Sequence, residues 1–222
     1  HLKIGSGGHH VLGFNVDEFV DGISFHAPRL LTLHIVDFVE FNDESLAAIV
    51  ASLEECIDLA LDNMTFNTRT IEAIASWIPN IEYLSLTGSR TLGDQEVRCV
   101  TAICHHLKEL TIKNCARISD LAFSRCSSLK LRKIDFSHGS KLIDGSLLTS
   151  FTNSPLSSIS LENTPMLFHT VPMTQTFLRM NIRSQISLRE LTLRDNPHIS
   201  CHHVGILLDT FLFCTLLDLT GC

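Results

Sequence analysis

One tryptophan and one tyrosine occur in the 222 residues, and Asp, Glu, Lys and Arg together make up only 18% of them. Binding hot spots are built mainly from Trp, Tyr and Arg, so any interface here has few anchors to draw on. Basic residues are the scarcer charge, 17 against 24 acidic, for a formal net charge of −7. Without a basic stripe, nucleic acid is not expected as a main partner. Long apolar runs are absent too: the most apolar stretch, Gly205 to Leu219, is interrupted by Asp209. Membrane insertion is therefore not expected, because a spanning helix needs about 20 consecutive apolar residues. Catalytic motifs are also missing. Gly5-Ser6-Gly7-Gly8 lacks the Gly-Lys-Ser/Thr ending of a phosphate loop and reads as a turn. Cys104-His105-His106 and Cys201-His202-His203 place soft ligands side by side, where neighbouring side chains diverge and a tetrahedral metal site needs them to converge. Neither an enzyme activity, nor a cofactor, nor a metal site is expected.

What the chain does have is an L-x-x-L-x-L pattern from one end to the other. Its anchors are Leu30-Leu33-Ile35, Cys56-Leu59-Leu61, Ile81-Leu84-Leu86, Leu107-Leu110-Ile112, Leu131-Ile134-Phe136, Leu156-Ile159-Leu161, Leu188-Leu191-Leu193 and Cys214-Leu217-Leu219. Middle anchors are spaced 26, 25, 26, 24, 25, 32 and 26 residues apart. A fixed period of this length is the mark of stacked supersecondary units, and the pattern resembles the leucine-rich repeat. The expected fold class is α/β: a leucine-rich-repeat solenoid, a curved horseshoe with parallel strands on the concave face and helices on the convex face. Strands stack at about 4.8 Å and helices at about 10 Å, so the stack bends with its strands inside.

Behind each strand, apolar residues recur at helical spacing, as in Leu46-Ile49-Val50-Leu53, Ile71-Ile74-Ala75-Ile78, Val97-Val100-Thr101-Cys104 and Val204-Leu207-Leu208-Phe211. Asp43, Asp94, Asp120 and Asp144 share one offset just ahead of these segments, which predicts that they cap the helices that follow. The whole chain reads as a single domain, with residues 1–28 a partial repeat, 29–213 seven repeats and 214–222 the start of another. That reading makes it a piece of a longer protein, cut at both ends. The step of 32 residues places an insertion near Pro172 to Gln185, expected as a longer helix or a protruding loop.

Three residues past each last anchor lies a ladder position, occupied by Phe38, Met64, Ser89, Cys115, Gly139, Thr164, Asn196 and Cys222. Cys104-x-x-Leu107-x-x-Leu110-x-Ile112-x-x-Cys115-x-x-Ile118-Ser119-Asp120 is similar to the cysteine-containing subclass of leucine-rich repeats in F-box and related intracellular proteins. Five of the eight cysteines fall at repeat-defined core positions, which predicts free thiols rather than a disulfide framework. The resemblance implies a cytoplasmic protein-interaction scaffold, the substrate-recognition segment of an F-box ubiquitin-ligase subunit. It equally implies a structural subunit of a large assembly, such as the dynein regulatory complexes of cilia, where adaptor or neighbouring subunits would be partners. A third implication is a ligand-sensing repeat domain.

The residues between the anchors form three columns on the strand face, small and mixed in charge. From them Tyr83, Glu109, Lys133, Asp135 and Arg194 are the expected contacts for a protein partner, with Tyr83 the only aromatic in the trough. Arg179, Arg183, Arg189 and Arg194 form a loose basic group near the irregular repeat.

Overall fold

Each L-x-x-L-x-L segment forms a strand in the computed structural model, which describes all residues except 8, 10, 12, 125, 144, 152, 170–176 and 181. The strands are β1 (Leu2–Gly5), β2 (Thr32–Val36), β3 (Asp58–Asp62), β4 (Tyr83–Ser85), β5 (Glu109–Thr111), β6 (Lys133–Asp135), β7 (Ser158–Ser160), β8 (Glu190–Thr192) and β9 (Leu216–Asp218). They make one open sheet in chain order, every pair parallel. Register is set by the middle anchors, which line up as Leu2, Leu33, Leu59, Leu84, Leu110, Ile134, Ile159, Leu191 and Leu217. Alternate strand residues share a face, so middle and last anchors point together into the core while the residue between them points outward. Leu33, Ile35, Leu59 and Leu61 are accordingly fully buried.

Strands this short have no hydrogen-bond partner within their own repeat, and each repeat supplies its neighbour. At strand entry, two successive N–H groups share one carbonyl of the preceding repeat: Lys108 and Glu109 donate to Glu82, and Arg132 and Lys133 to Lys108. At strand exit, the N–H two residues past the last anchor donates to the following repeat, as Asn63 does to Thr87 (2.7 Å), Asn114 to Ser137 (3.0 Å) and Asp195 to Thr220 (2.9 Å). The residue at this position is in the left-handed region after each of β2 to β9: Asp37, Asn63, Gly88, Asn114, His138, Asn163, Asp195 and Gly221 have φ between 47° and 78°. Asp, Asn, Gly and His are the residue types that tolerate this conformation. At Gly88 an added Cβ would lie 1.9 Å from the Asn63 amide oxygen, so a larger residue would have to displace that side chain.

The ladder position behaves as its polar members require. Cys115 Sγ donates to the carbonyl of Leu86, Asn196 Nδ2 to Leu161 and Cys222 Sγ to Leu193, each in the preceding repeat. Phe38 and Met64 cannot do this and fill the core instead. Phe38 joins Phe14 and Phe41, with ring centroids 5.1 and 5.4 Å away.

On the other face, α1 (Val16–His26), α2 (Asp43–Ala51), α3 (Thr68–Trp77) and α4 (Asp94–Ile103) are regular helices. Further along the stack they shrink to 3₁₀ turns at Asp120–Phe123, Cys126–Ser128 and Pro165–Phe168, and to short helices at Ser146–Ser150 and Ile182–Ser187. A full helix returns at Cys201–Thr210. The expectation of a helix in every repeat is thus corrected. Phe123, Cys126 and Leu129 are buried at intervals of three, which suits the three residues per turn of a 3₁₀ helix, and the serines among them are weak helix formers. In the long repeat, Phe177 and Met180 turn into the core, with Phe177 edge-on to Phe211 at 5.7 Å. Residues 172–176 and 181 of the expected insertion lie outside the described residues.

The repeated aspartates also differ from expectation. The capping residues are Asn42, Gly93 and Ser119, one position earlier, and they hold the extended backbone that capping needs. Asp43, Asp94 and Asp120 are already within the first turn, so their carboxylates reach across to the next repeat. Asp43 accepts from the Asn67 N–H (2.7 Å), the Thr70 N–H (3.1 Å) and the Thr70 hydroxyl (2.7 Å). Asp94 accepts from the N–H and hydroxyl of Ser119, and Asp120 from the Ile143 N–H. Asp43 therefore caps α3 from the neighbouring repeat, where Asn67 makes no side-chain cap of its own. Asp144 lies outside the described residues.

Burial alone would raise the Asp43 carboxyl, but the bonds from Asn67 and Thr70 outweigh it and hold the group below its ordinary value of 3.8. A carboxylate lowered on folding stabilises above that value and loses its contribution as pH falls through the native one. Asp43→Ala is expected to cost about 0.5–2 kcal/mol at neutral pH. In chemical denaturation the gap between variant and parent should close as pH drops below about 4. A gap that stays constant with pH would show that the carboxylate charge plays no part.

Candidate functional site

Register decides which exposed side chains stand together on the strand face. Tyr83 lies beside Asp58 on one side and Glu109 on the other, and Glu109 lies beside Lys133. These form one row at about 4.8 Å per strand. Two residues further, Ala60, Ser85 and Thr111 form a low floor. Small floor residues between larger walls leave a depression of about 280 Å³, lined by His34, Asp58, Ala60, Asp62, Tyr83, Leu84, Ser85, Glu109 and Thr111. Three carboxylates and no Lys or Arg line it. Asp58 and Asp62 share a face because they sit four apart on β3, with Ala60 between them.

Hydrogen bonding separates carboxylates already in use from those still available. Asp58 Oδ1 is 2.9 Å from His34 Nε2. Asp62 accepts from the Ser85 hydroxyl (2.6 Å) and the Thr87 N–H (3.0 Å). Asp135 is buried, held by Lys113 Nζ at 2.8 Å and by the Ser137 hydroxyl at 2.7 Å. In contrast, the Tyr83 hydroxyl and the Glu109 carboxylate, both half-buried, have no side-chain partner among the described residues. Lys133 is exposed at the end of the same row.

Arg194 stands apart. It follows β8, four strands from Tyr83 and so about 19 Å away, and its Nε lies 3.8 Å from Asp218 Oδ2. Arg189 is tied to its own turn through the carbonyls of Ile186 (2.7 Å) and Leu188 (3.0 Å), and its guanidinium is 5.7 Å from the centre of the Phe213 ring. The structure thus brings Tyr83, Glu109 and Lys133 together, with Asp135 beneath a neighbouring pair and Arg194 at a distance. His34, Asp58 and Asp62 also border the depression. Their signal in the sequence was their place in the same three columns, in the repeats next to Tyr83.

No known protein-family profile matches the chain. Its structure is similar to a chain in the crystal structure of the complex of Rad7 and Elc1 in yeast, with a TM-score of 0.53 and 16% sequence identity, over 92% of this chain and 60% of that one. At this identity the likeness is one of fold. The chain is a leucine-rich-repeat solenoid and spans about 60% of the length of that neighbour. No helix among the described residues is long and apolar enough to cross a membrane.

Of the five cysteines expected in the core, Cys56, Cys104 and Cys115 are buried, Cys214 is half-buried and Cys222 is exposed, and none of the eight forms a disulfide. Cys56, Cys104, Cys115 and Cys126 are buried, while Cys201 and Cys222 are exposed. Burial pushes the thiols of Cys56 and Cys115 up to about 11 and that of Cys104 to about 12. Thiols held so firmly protonated act as small apolar side chains rather than nucleophiles. A maleimide is expected to modify Cys201 and Cys222 rapidly in the folded protein and to reach all eight only after denaturation, without prior reduction. Rapid labelling of Cys104 in the folded state, read by mass spectrometry, would contradict its place in the core.

Proposed function

We propose that the chain is a non-enzymatic protein-recognition segment that grips its partner with the strand-lined trough around Tyr83. The observation that carries this reading is the depression itself. On a surface where Asp58, Asp62 and Asp135 are held by internal bonds, Tyr83 and Glu109 stand side by side over a floor of small residues with no side-chain partner among the described residues. A half-buried aromatic with a polar tip beside a free carboxylate is the chemistry of an interface hot spot. Within this reading the protein is a cytoplasmic subunit of the cysteine-containing F-box type, and the trough holds the substrate of a ubiquitin ligase. The Cys104 to Asp120 repeat supports that assignment, as does the solenoid's likeness to a chain crystallised within a two-protein complex.

A second reading places the protein as a structural subunit docked by its helical side. Trp77, the single tryptophan, is 62% exposed at the end of α3 beside Arg69, Glu72 and Ala73. Affinity capture followed by titration of the recovered partner separates the two. Tyr83→Ala is expected to weaken binding tenfold or more, about 1.4 kcal/mol, with Glu109→Ala following in the same direction. If Trp77→Ala or Glu72→Arg abolishes binding while Tyr83→Ala leaves it unchanged, the helical side is the working surface.

A further inference from the structure

The turns that lead from the helical side back into β5 and β6 enclose a hollow of about 440 Å³, lined by His105, His106, Leu107, Lys108, Ser128, Lys130 and Arg132. It lies on an edge of the solenoid, away from the depression at Tyr83. We infer that this hollow is a docking site for a short run of Asp and Glu residues in a partner protein. Its lining carries Lys108, Lys130 and Arg132 and no acidic residue, in a chain whose net charge is −7. One of these three charges is paired on the surface and two are not. Lys108 meets Glu82 at 2.6 Å, but Lys130 and Arg132 are exposed and have no carboxylate partner among the described residues.

The extent of the positive region selects the kind of ligand. Along the same edge the preceding repeats present Arg29 paired to Glu55 at 3.7 Å, with Glu54 and Glu82, and the following one presents Pro155 and Ser157. Between β2 and β7, positive charge without a carboxylate partner on this edge is confined to two repeats, about 10 Å of the stack, which an extended peptide covers in about three residues. A nucleic-acid backbone, with its charge continuing at regular intervals, would run on into carboxylates. A single tetrahedral anion would engage one turn and leave the cations of the other unmatched. Carboxylates spaced along an extended chain match cations drawn from both turns, and the flanking acidic residues repel wrong registers.

The test is fluorescence anisotropy with a labelled hexaglutamate peptide, and with a hexaglutamine peptide as the uncharged control, at low ionic strength. Saturable binding of hexaglutamate alone is expected. Lys130→Glu/Arg132→Glu should weaken it at least tenfold, while Arg69→Glu/Arg98→Glu, with the same change in net charge on α3 and α4, should leave it within about twofold. Unchanged unfolding midpoints would show that both variants fold; should the first not fold, Lys130→Gln/Arg132→Gln replaces it with the same expectation. Three outcomes overturn the proposal: no binding of hexaglutamate, equal loss in both double variants, or tighter binding of a single-stranded oligonucleotide through the same residues. Because Tyr83→Ala does not touch this edge, it should leave hexaglutamate binding intact, and failure of the trough reading would not affect the result.

Discussion

No strand in this molecule can satisfy its backbone without the repeat on either side of it. The carbonyl of Glu82 takes two N–H groups of the next repeat, and the N–H of Asn63 reaches forward to Thr87. Since buried backbone groups must be paired, the stacking distance and register of neighbouring repeats are fixed before any side chain is considered. The left-handed residue after each strand follows from this, because it turns the chain while keeping its N–H on the ladder. The aspartates of α2, α4 and the 3₁₀ turn at Asp120 apply the same logic on the helical side, lending carboxylates to the N–H groups of the following repeat. Stability is therefore expected to be shared between neighbours rather than held within repeats.

The strands were legible because periodicity of apolar residues reports the core directly. The middle anchor of each of the eight sets lies in a strand. The left-handed column was also present in the sequence, as Asp37, Asn63, Gly88, Asn114, His138, Asn163, Asp195 and Gly221. Taken singly each of these is an ordinary turn residue, and only a shared backbone angle unites them. The recurrence of Asp43, Asp94 and Asp120 was visible, but the direction of their bonds was not. A one-residue difference in where a helix begins turns a cap into a bridge between repeats. The 3₁₀ turns were hidden because a buried spacing of three fits within a helical pattern of threes and fours.

The trough was partly readable. Columns follow from register, so the adjacency of Tyr83, Glu109 and Lys133 and the separation of Arg194 are both consequences of counting repeats. Which carboxylates are already spent is not a matter of counting. It depends on side-chain geometry across strands, as where Lys113 reaches Asp135 and Ser85 reaches Asp62. Tyr83 and Glu109 on the strand face, and Lys130 and Arg132 on the edge, are among the groups without a carboxylate or hydroxyl partner among the described residues, and the two proposals rest on them. A chain with one tyrosine, one tryptophan and little charge has few other ways to be specific.

The central claim is that parallel strands stack in chain order, each repeat completing the next. Backbone nuclear Overhauser contacts in isotopically labelled protein test it at one residue. Leu110 should show cross-strand contacts to the residues around both Leu84 and Ile134, in the pattern of parallel pairing. Contacts of antiparallel type, or a partner for Leu110 from any non-adjacent repeat, would contradict it.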